Sequence, residues 1–290
     1  MDSNDSQQRG IREIAQALSI DAWLECVTNS LESATPTSVD GVTMPTAPSA
    51  ELQTKFVGGA GKHAIYEAAM FYRYVLDTCA ANGIPTIGRM LDFGCGWGRY
   101  TRLFLRDVED GGLIGVDPEP AAIDVCRTHV PQASFLKSDY YPPLPFRDQF
   151  FDVVIAYSVF SHLYELPAHA WINELSRVLR PGGLLIATTH PIWILEFVEK
   201  LRLGEIPMTS DWHVGLSKSW MDLDETRRRY ESGEFLPARE IGEYYEGYGD
   251  VIVSPGYVSR VWGKIMEPVE FVSDRDRIAQ AAFVLRKRRS

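Results

Sequence analysis

The stretch Leu91-Asp92-Phe93-Gly94-Cys95-Gly96-Trp97-Gly98-Arg99 runs from a short apolar segment straight into three alternate glycines. Glycine lets the backbone turn sharply and leaves no Cβ in the way of a ligand. A helix expected over Gly98 to Val108 would add exposed N–H groups and a partial positive charge suited to an anion. Asp117 closes Ile114-Gly115-Val116-Asp117, before Pro118. It stands about 20 residues past the loop, where a carboxylate can accept hydrogen bonds from both hydroxyls of a ribose. The two features imply one ligand with a ribose and an anionic group, either a pyrophosphate or an amino-acid carboxylate. The dinucleotide fingerprint requires Gly-x-Gly-x-x-Gly. Here the third glycine comes one residue early and Arg99 occupies its place, which argues against a nicotinamide cofactor.

Two histidines, His162 and His190, follow the fourth and fifth expected strands. A neutral imidazole near pH 7 can take a proton from an acceptor group. Both also read as structural residues, His190 as a strand end before Pro191. His213 is a third, weaker candidate. The cysteines Cys26, Cys79, Cys95 and Cys126 form no Cys-x-x-Cys pair and no close spacing with histidine, so neither a metal site nor a disulfide framework is expected. Reduced thiols of a cytoplasmic protein are the expectation. Cys95 reads as a small packing residue, because no motif pairs it with a base.

These residues need a scaffold. Short apolar strands are expected at Arg89 to Phe93, Leu113 to Asp117, Ala133 to Lys137, Phe151 to Tyr157 and Leu184 to Thr189. Between them lie helices at Gly98 to Val108, Pro120 to His129 and Ala168 to Leu179, and a turn at Arg180-Pro181-Gly182-Gly183. That alternation means βαβ units and a parallel sheet with helices on both faces. A helix over Pro255 to Lys264 and two closing strands, Val269 to Val272 and Ala281 to Leu285, complete an α/β, doubly wound, mostly parallel seven-stranded sheet with an antiparallel C-terminal strand.

Residues 1–55 read as a helical and linker extension, with helical periodicity over Ile11 to Leu31 and a mobile stretch rich in Ser, Thr, Pro and Ala from Ser33 to Ser49. Residues 56–290 form the main domain. Within it, 191–250 interrupt the alternation with Trp193, Trp212, Trp220, Tyr230, Tyr244, Tyr245 and Tyr248. This segment serves as a substrate cover, a small core of its own or a dimer surface. The formal net charge of −10 makes nucleic acid a poor partner. Met1 to Gly10 is polar, so no secretory leader is expected, and no apolar run reaches the roughly 18 residues of a membrane span.

The glycine loop, Gly115-Val116-Asp117, Ser138-Asp139, Phe151-Asp152-Val153-Val154, Ser158-Val159-Phe160-Ser161-His162-Leu163 and Arg177-Val178-Leu179-Arg180-Pro181-Gly182-Gly183 occur in this order. Together they resemble the class I S-adenosylmethionine (SAM)-dependent methyltransferase family, over residues 60 to 290. The resemblance implies SAM as cofactor and methyl transfer to an oxygen or nitrogen of a small-molecule acceptor. It implies that Gly94, Cys95 and Gly96 pass under the methionine portion and that Asp92 helps hold its ammonium group. Asp117 with Pro118 would serve the ribose, Asp139 and the Tyr140 amide the adenine, and Tyr157 the floor of the site. Lys62, His63 and Tyr66 begin a helix that often covers the cofactor in such enzymes. Ala156-Tyr157-Ser158-Val159 stands where an Asn-Pro-Pro-Tyr signature would mark amino methylation of nucleobases or glutamine. A non-catalytic SAM-binding protein of the same fold is the alternative, ahead of a nicotinamide-dependent oxidoreductase.

Overall fold

The computed structural model describes residues 2–33, 35–239 and 248–289, with side chains from Gly10 onward. Tyr244 and Tyr245 of the aromatic segment lie outside the described residues. Among the described residues one sheet holds seven strands: β1 (Met90–Phe93), β2 (Leu113–Asp117), β3 (Ser134–Lys137), β4 (Phe151–Ala156), β5 (Leu179–Thr189), β6 (Glu267–Val272) and β7 (Ala281–Arg286). Their order is β6-β7-β5-β4-β1-β2-β3. β1 pairs in parallel with both β2 and β4, and β2 with β3, whereas β6 and β7 form an antiparallel hairpin. The chain thus fills one side of β1 and then crosses to the other. The crevice beyond the carboxyl ends of β1 and β4 is the switch point at which open α/β sheets bind ligands. β1, β2 and most of β4 are buried along their whole length, as strands covered on both faces must be.

The chain divides into two compact units, residues 1–155 with 178–184, and residues 156–177 with 185–290. The first begins with α1 (Asp2–Ala17), α2 (Ile20–Glu32), α3 (Ala50–Val57) and α4 (Gly61–Ala81). Ser19 caps α2 by accepting from the Ala22 amide, and Gly83 in the left-handed region follows α4, at the Asn-Gly-Ile-Pro stop. Trp23 of α2 is buried and donates its indole N–H to the Leu103 carbonyl at 2.9 Å. The stretch from Ser33 to Ser49 does not behave as a linker. It carries a small hairpin, Ser38–Val39 with Val42–Thr43, and Met44 is buried. Its backbone is fixed by Thr46 N–H to His129 O and by Gln132 donating to Thr43 O.

The helix expected over Gly98 to Val108 shrinks to one turn, α5 (Thr101–Phe104). Gly94, Gly96 and Gly98 all have positive φ, so the chain keeps turning through the loop. The first helical bond is Arg102 N–H to Gly98 O. α6 (Pro120–His129) has Pro at its start, where the missing N–H costs nothing.

The second unit contains α7 (Glu165–Val178, its last residue in the first unit), then α8 (Ile194–Leu203), α9 (Asp211–Ser217), α10 (Leu223–Glu231) and α11 (Pro255–Arg260). Segment 191–250 forms a core of its own from Ile194, Leu195, Val198, Leu201, Leu216, Trp220 and Leu236, with Ile252. A two-stranded sheet, Phe235–Pro237 with Val251–Val253, closes it. The helix expected to Lys264 ends at Arg260, and a 3₁₀ turn, Trp262–Lys264, follows around Gly263.

A side chain on Gly115 of β2 would place its Cβ 2.7 Å from the Phe135 ring and 3.0 Å from Cys95 Cβ. Gly115→Ala should therefore destabilise the fold by about 1–3 kcal/mol through overpacking. Thermal denaturation followed by circular dichroism should show a melting point lowered by several degrees; an unchanged one contradicts this packing.

Candidate functional site

Asp117 ends β2, and Pro118 beside it has no N–H to offer. Its carboxylate instead accepts from Gly96 N–H through Oδ2 and from Glu119 N–H through Oδ1, both at 2.9 Å. The second bond is an Asx turn. Each oxygen keeps a lone pair, so a ribose diol can still be bound bidentately. The side chain is buried, and burial raises its pKa against the pull of the two backbone donors.

The loop amides are already engaged. Gly94 and Cys95 both donate to Val116 O, Gly96 to Asp117 and Gly98 to Cys95 O. With α5 a single turn, the anion-binding helix end expected from the sequence is absent here. What the loop offers instead is a buried carboxylate. Asp92 is 2 % exposed and accepts from Thr101 Oγ at 2.6 Å. Burial pushes its pKa up to about 6, although the Thr101 hydrogen bonds oppose the rise. A carboxylate so poorly solvated favours a cation, and the ammonium group of an amino acid supplies one. A pyrophosphate would meet no free amide of Gly94, Cys95 or Gly96.

The same loop passes the test for a ligand lying on it. A Cβ built on Gly96 (φ +52°) meets nothing nearer than Phe56 Cβ at 3.9 Å. Phe56, on α3, therefore faces the loop, and the sequence reading missed it. Lys62 and His63 pair with Glu32 and Glu67 at the surface, and Tyr66 is 73 % exposed. Arg102 is a second residue missed. Its buried guanidinium donates to the carbonyls of Gly98, Trp97 and Thr46 and lies 4.4 Å from the Trp97 ring. It braces the glycine loop from behind. Cys95 is buried, and burial with the adjacent Cys126 thiol holds it far from a thiolate.

β3 runs parallel to β2, so Asp139 and Tyr140 leave the sheet at the same edge as Asp117. Ser138 N–H donates to Asp117 O at 3.1 Å, and the Tyr140 hydroxyl donates to Glu119. Asp139 and Tyr140 are exposed and Pro118 half-buried. The first unit thus gathers every expected cofactor residue but Tyr157, which is half-buried and belongs to the second.

The second unit brings His162 and His190 together, their ring centroids 5.4 Å apart. It adds Asp250, absent from the sequence reading. Asp250 Oδ1 lies 3.0 Å from His190 Nε2 and 3.5 Å from His162 Nδ1. Backbone pairing fixes His162 and Asp250, through Gly249 N–H to His162 O and Val251 N–H to Ser161 O, and beside His190 the Thr189 hydroxyl accepts from Val253 N–H. Burial, then the neighbouring His190, lower the His162 pKa to about 4, against Asp250. Burial would raise Asp250, but the His190 hydrogen bond, both histidines and Trp212 outweigh it and hold the carboxyl below its usual range. A cleft of about 340 Å³ reaches this cluster, lined by Tyr164, Trp212, Arg239, Tyr248 and Asp250. Tyr248 stacks on His162 at 5.4 Å. His213 lies apart, bonded to Thr209 and packed on Phe197. Trp220 belongs to the small core and Trp193 lies under Arg275, so neither faces the cleft.

Residues 91–187 match the family model of a methyltransferase domain. Over 102 residues the chain is 35 % identical to phthiotriol/phenolphthiotriol dimycocerosates methyltransferase 1 of Mycobacterium ulcerans, covering 34 % of this chain and 36 % of that protein. It is 31 % identical over 105 residues to ubiquinone biosynthesis O-methyltransferase of a Bradyrhizobium species, covering 35 % and 39 %. The matched region thus spans between a third and two fifths of these relatives' length. In fold it is similar to the crystal structure of an S-adenosylmethionine-dependent methyltransferase from Clostridium acetobutylicum, with a TM-score of 0.50 at 12 % identity over 76 % of this chain and 92 % of that one. Residues 91–187 are thus similar to a methyltransferase domain, and the sheet shares the fold of a SAM-dependent methyltransferase, a class whose cofactor is S-adenosyl-L-methionine.

A pairing of Asp92 with the ammonium group of an aminoacyl ligand, as the resemblance implies, requires the carboxyl to be ionised. Affinity for S-adenosylhomocysteine, measured by calorimetry, should therefore fall roughly tenfold per unit below about pH 6. Asp92→Asn should bind weakly at every pH and lose that slope. A flat profile in the unmutated protein contradicts the pairing.

Proposed function

We propose that this chain transfers the methyl group of SAM to an oxygen or nitrogen of a small-molecule acceptor. The observation that carries the reading is the Asp117 carboxylate, tied to the glycine loop while keeping one lone pair on each oxygen for a ribose. Buried Asp92 supports it by supplying the counter-charge for the aminoacyl end.

When bound, SAM supplies an electrophilic methyl that is displaced in line. The chain's share is orientation and proton handling. Asp117 and the loop fix the nucleoside end, and Asp139 with the Tyr140 amide serves the adenine. Phe56 shields the loop. Holding acceptor and methyl in line can supply up to about 7–11 kcal/mol of the acceleration. His190 and His162 serve the acceptor's proton, and Asp250 orients and stabilises the imidazole that takes it. The aromatic cleft at Tyr164, Trp212 and Tyr248 suits a flat or apolar acceptor body. Segment 191–250, with its own core, serves as the rigid support of that cleft. One relative is named a phthiotriol/phenolphthiotriol dimycocerosates methyltransferase and the other a ubiquinone biosynthesis O-methyltransferase. An oxygen acceptor on an apolar body follows as the first class to test.

Incubation with SAM and a panel of phenolic and aliphatic alcohols and amines should release S-adenosylhomocysteine with at least one member. His190→Ala should lower kcat by about 10²–10⁴-fold and leave the cofactor Kd unchanged. Cofactor binding without turnover on any acceptor favours the non-catalytic reading; unchanged kcat in His190→Ala removes the histidine from the reaction.

A further inference from the structure

We propose that His162, His190 and Asp250 bind a divalent first-row transition-metal ion of the zinc class. No metal is expected from the sequence, because the three residues come from segments far apart in the chain and form no ligand motif. Folding brings one donor atom from each within 4.8 Å of the others. The set is two imidazole nitrogens and one carboxylate oxygen, the usual donors for zinc and its first-row neighbours.

Two features separate this cluster from an ordinary hydrogen-bonded histidine pair. Both ring nitrogens face the same carboxylate oxygen, Oδ1, at 3.0 and 3.5 Å. A hydrogen bond accounts for the first distance and barely for the second. Donors held at about 2.0–2.2 Å from one tetrahedral ion lie about 3.3–3.5 Å apart, so the three donors, now within 4.8 Å of one another, draw together as the ion is seated. The second feature is rigidity with access. Each of the three residues is held, or flanked, by the pairing of segments 161–163, 189 and 248–253. Such outer contacts orient metal ligands. The cleft ending at Asp250 gives an ion a path from solvent and leaves its remaining positions to water or to an oxygen of the acceptor.

The ion's role rests on the methyltransferase reading; its binding does not. With the ion bound the imidazoles are ligands and no longer take the proton; the ion instead lowers the pKa of an acceptor hydroxyl. The proton leaves to solvent, the oxygen lone pair forms the bond to the methyl carbon, and the carbon–sulfur pair stays on sulfur. Hydroxyl acceptors, rather than amines, are then the substrate class.

The full chain, freed of metal with a chelator, is titrated with zinc by calorimetry and with cobalt by visible absorption. One ion per chain, with the absorption of a low-symmetry nitrogen and oxygen site, is expected. His190→Ala and Asp250→Ala should each weaken binding by at least about 100-fold, while S-adenosylhomocysteine binding, which draws on Asp92 and Asp117, persists and shows that the variants are folded. Asp250→Glu should restore part of the affinity. No ion taken up by folded, cofactor-competent protein overturns the proposal, as does undiminished binding in the alanine variants. Metal binding without cofactor binding upholds the site and instead defeats the methyltransferase reading.

Discussion

The bond from Gly96 N–H to the Asp117 carboxylate joins the loop after β1 to the end of β2, and the rest of the cofactor site depends on it. It fixes the loop's height above the sheet and uses the amide that a phosphate would need. Gly96 can make it because glycine tolerates φ +52°. Asp117 can make it because Pro118 leaves the Glu119 amide, two residues on, to complete the carboxylate's backbone bonds. Arg102 then locks the loop's carbonyls from the other side. A burial cost remains in Asp92, whose pKa is pushed up to about 6 and whose ionised form is poorly solvated until a cation arrives.

In the second unit charge is arranged differently. His162 is kept neutral by burial and by His190, while Asp250 stays ionised because both imidazoles and Trp212 surround it. One negative charge shared between two ring nitrogens is an acceptor for a proton or for a cation. Its position is set by backbone pairing, so the cluster does not depend on flexible surface side chains. The aromatic segment supports this arrangement with a small apolar core and leaves Trp212 and Tyr248 partly exposed at the cleft.

The sheet was legible because it is encoded locally: the buried strands before Gly94 and ending at Asp117 read correctly within a few residues. Arg180-Pro181-Gly182-Gly183, expected as a turn, instead lies within the strand Leu179–Thr189. A helix is likewise expected over Gly98 to Val108, yet three positive-φ glycines spend the chain on turns and leave one helical turn. Ser33 to Ser49 read as a linker because its composition is polar, but its order comes from long-range bonds to His129, Gln132 and Arg102. Phe56 and Asp250 carried no local signal. Each acquires its place only when segments distant in sequence pack, and a single sequence has no periodicity that records such a meeting. The acceptor's identity is hidden for the same reason, since the cleft is built from four separate stretches of chain.

The most direct test is calorimetric titration of the purified chain and its Asp117→Asn variant with S-adenosylhomocysteine. The account predicts saturable binding by the unmutated chain, and a Kd about 10- to 100-fold weaker in the variant, in line with the loss of charged hydrogen bonds to a ribose. Absence of binding in the folded unmutated chain, or equal affinity in the two proteins, would contradict it.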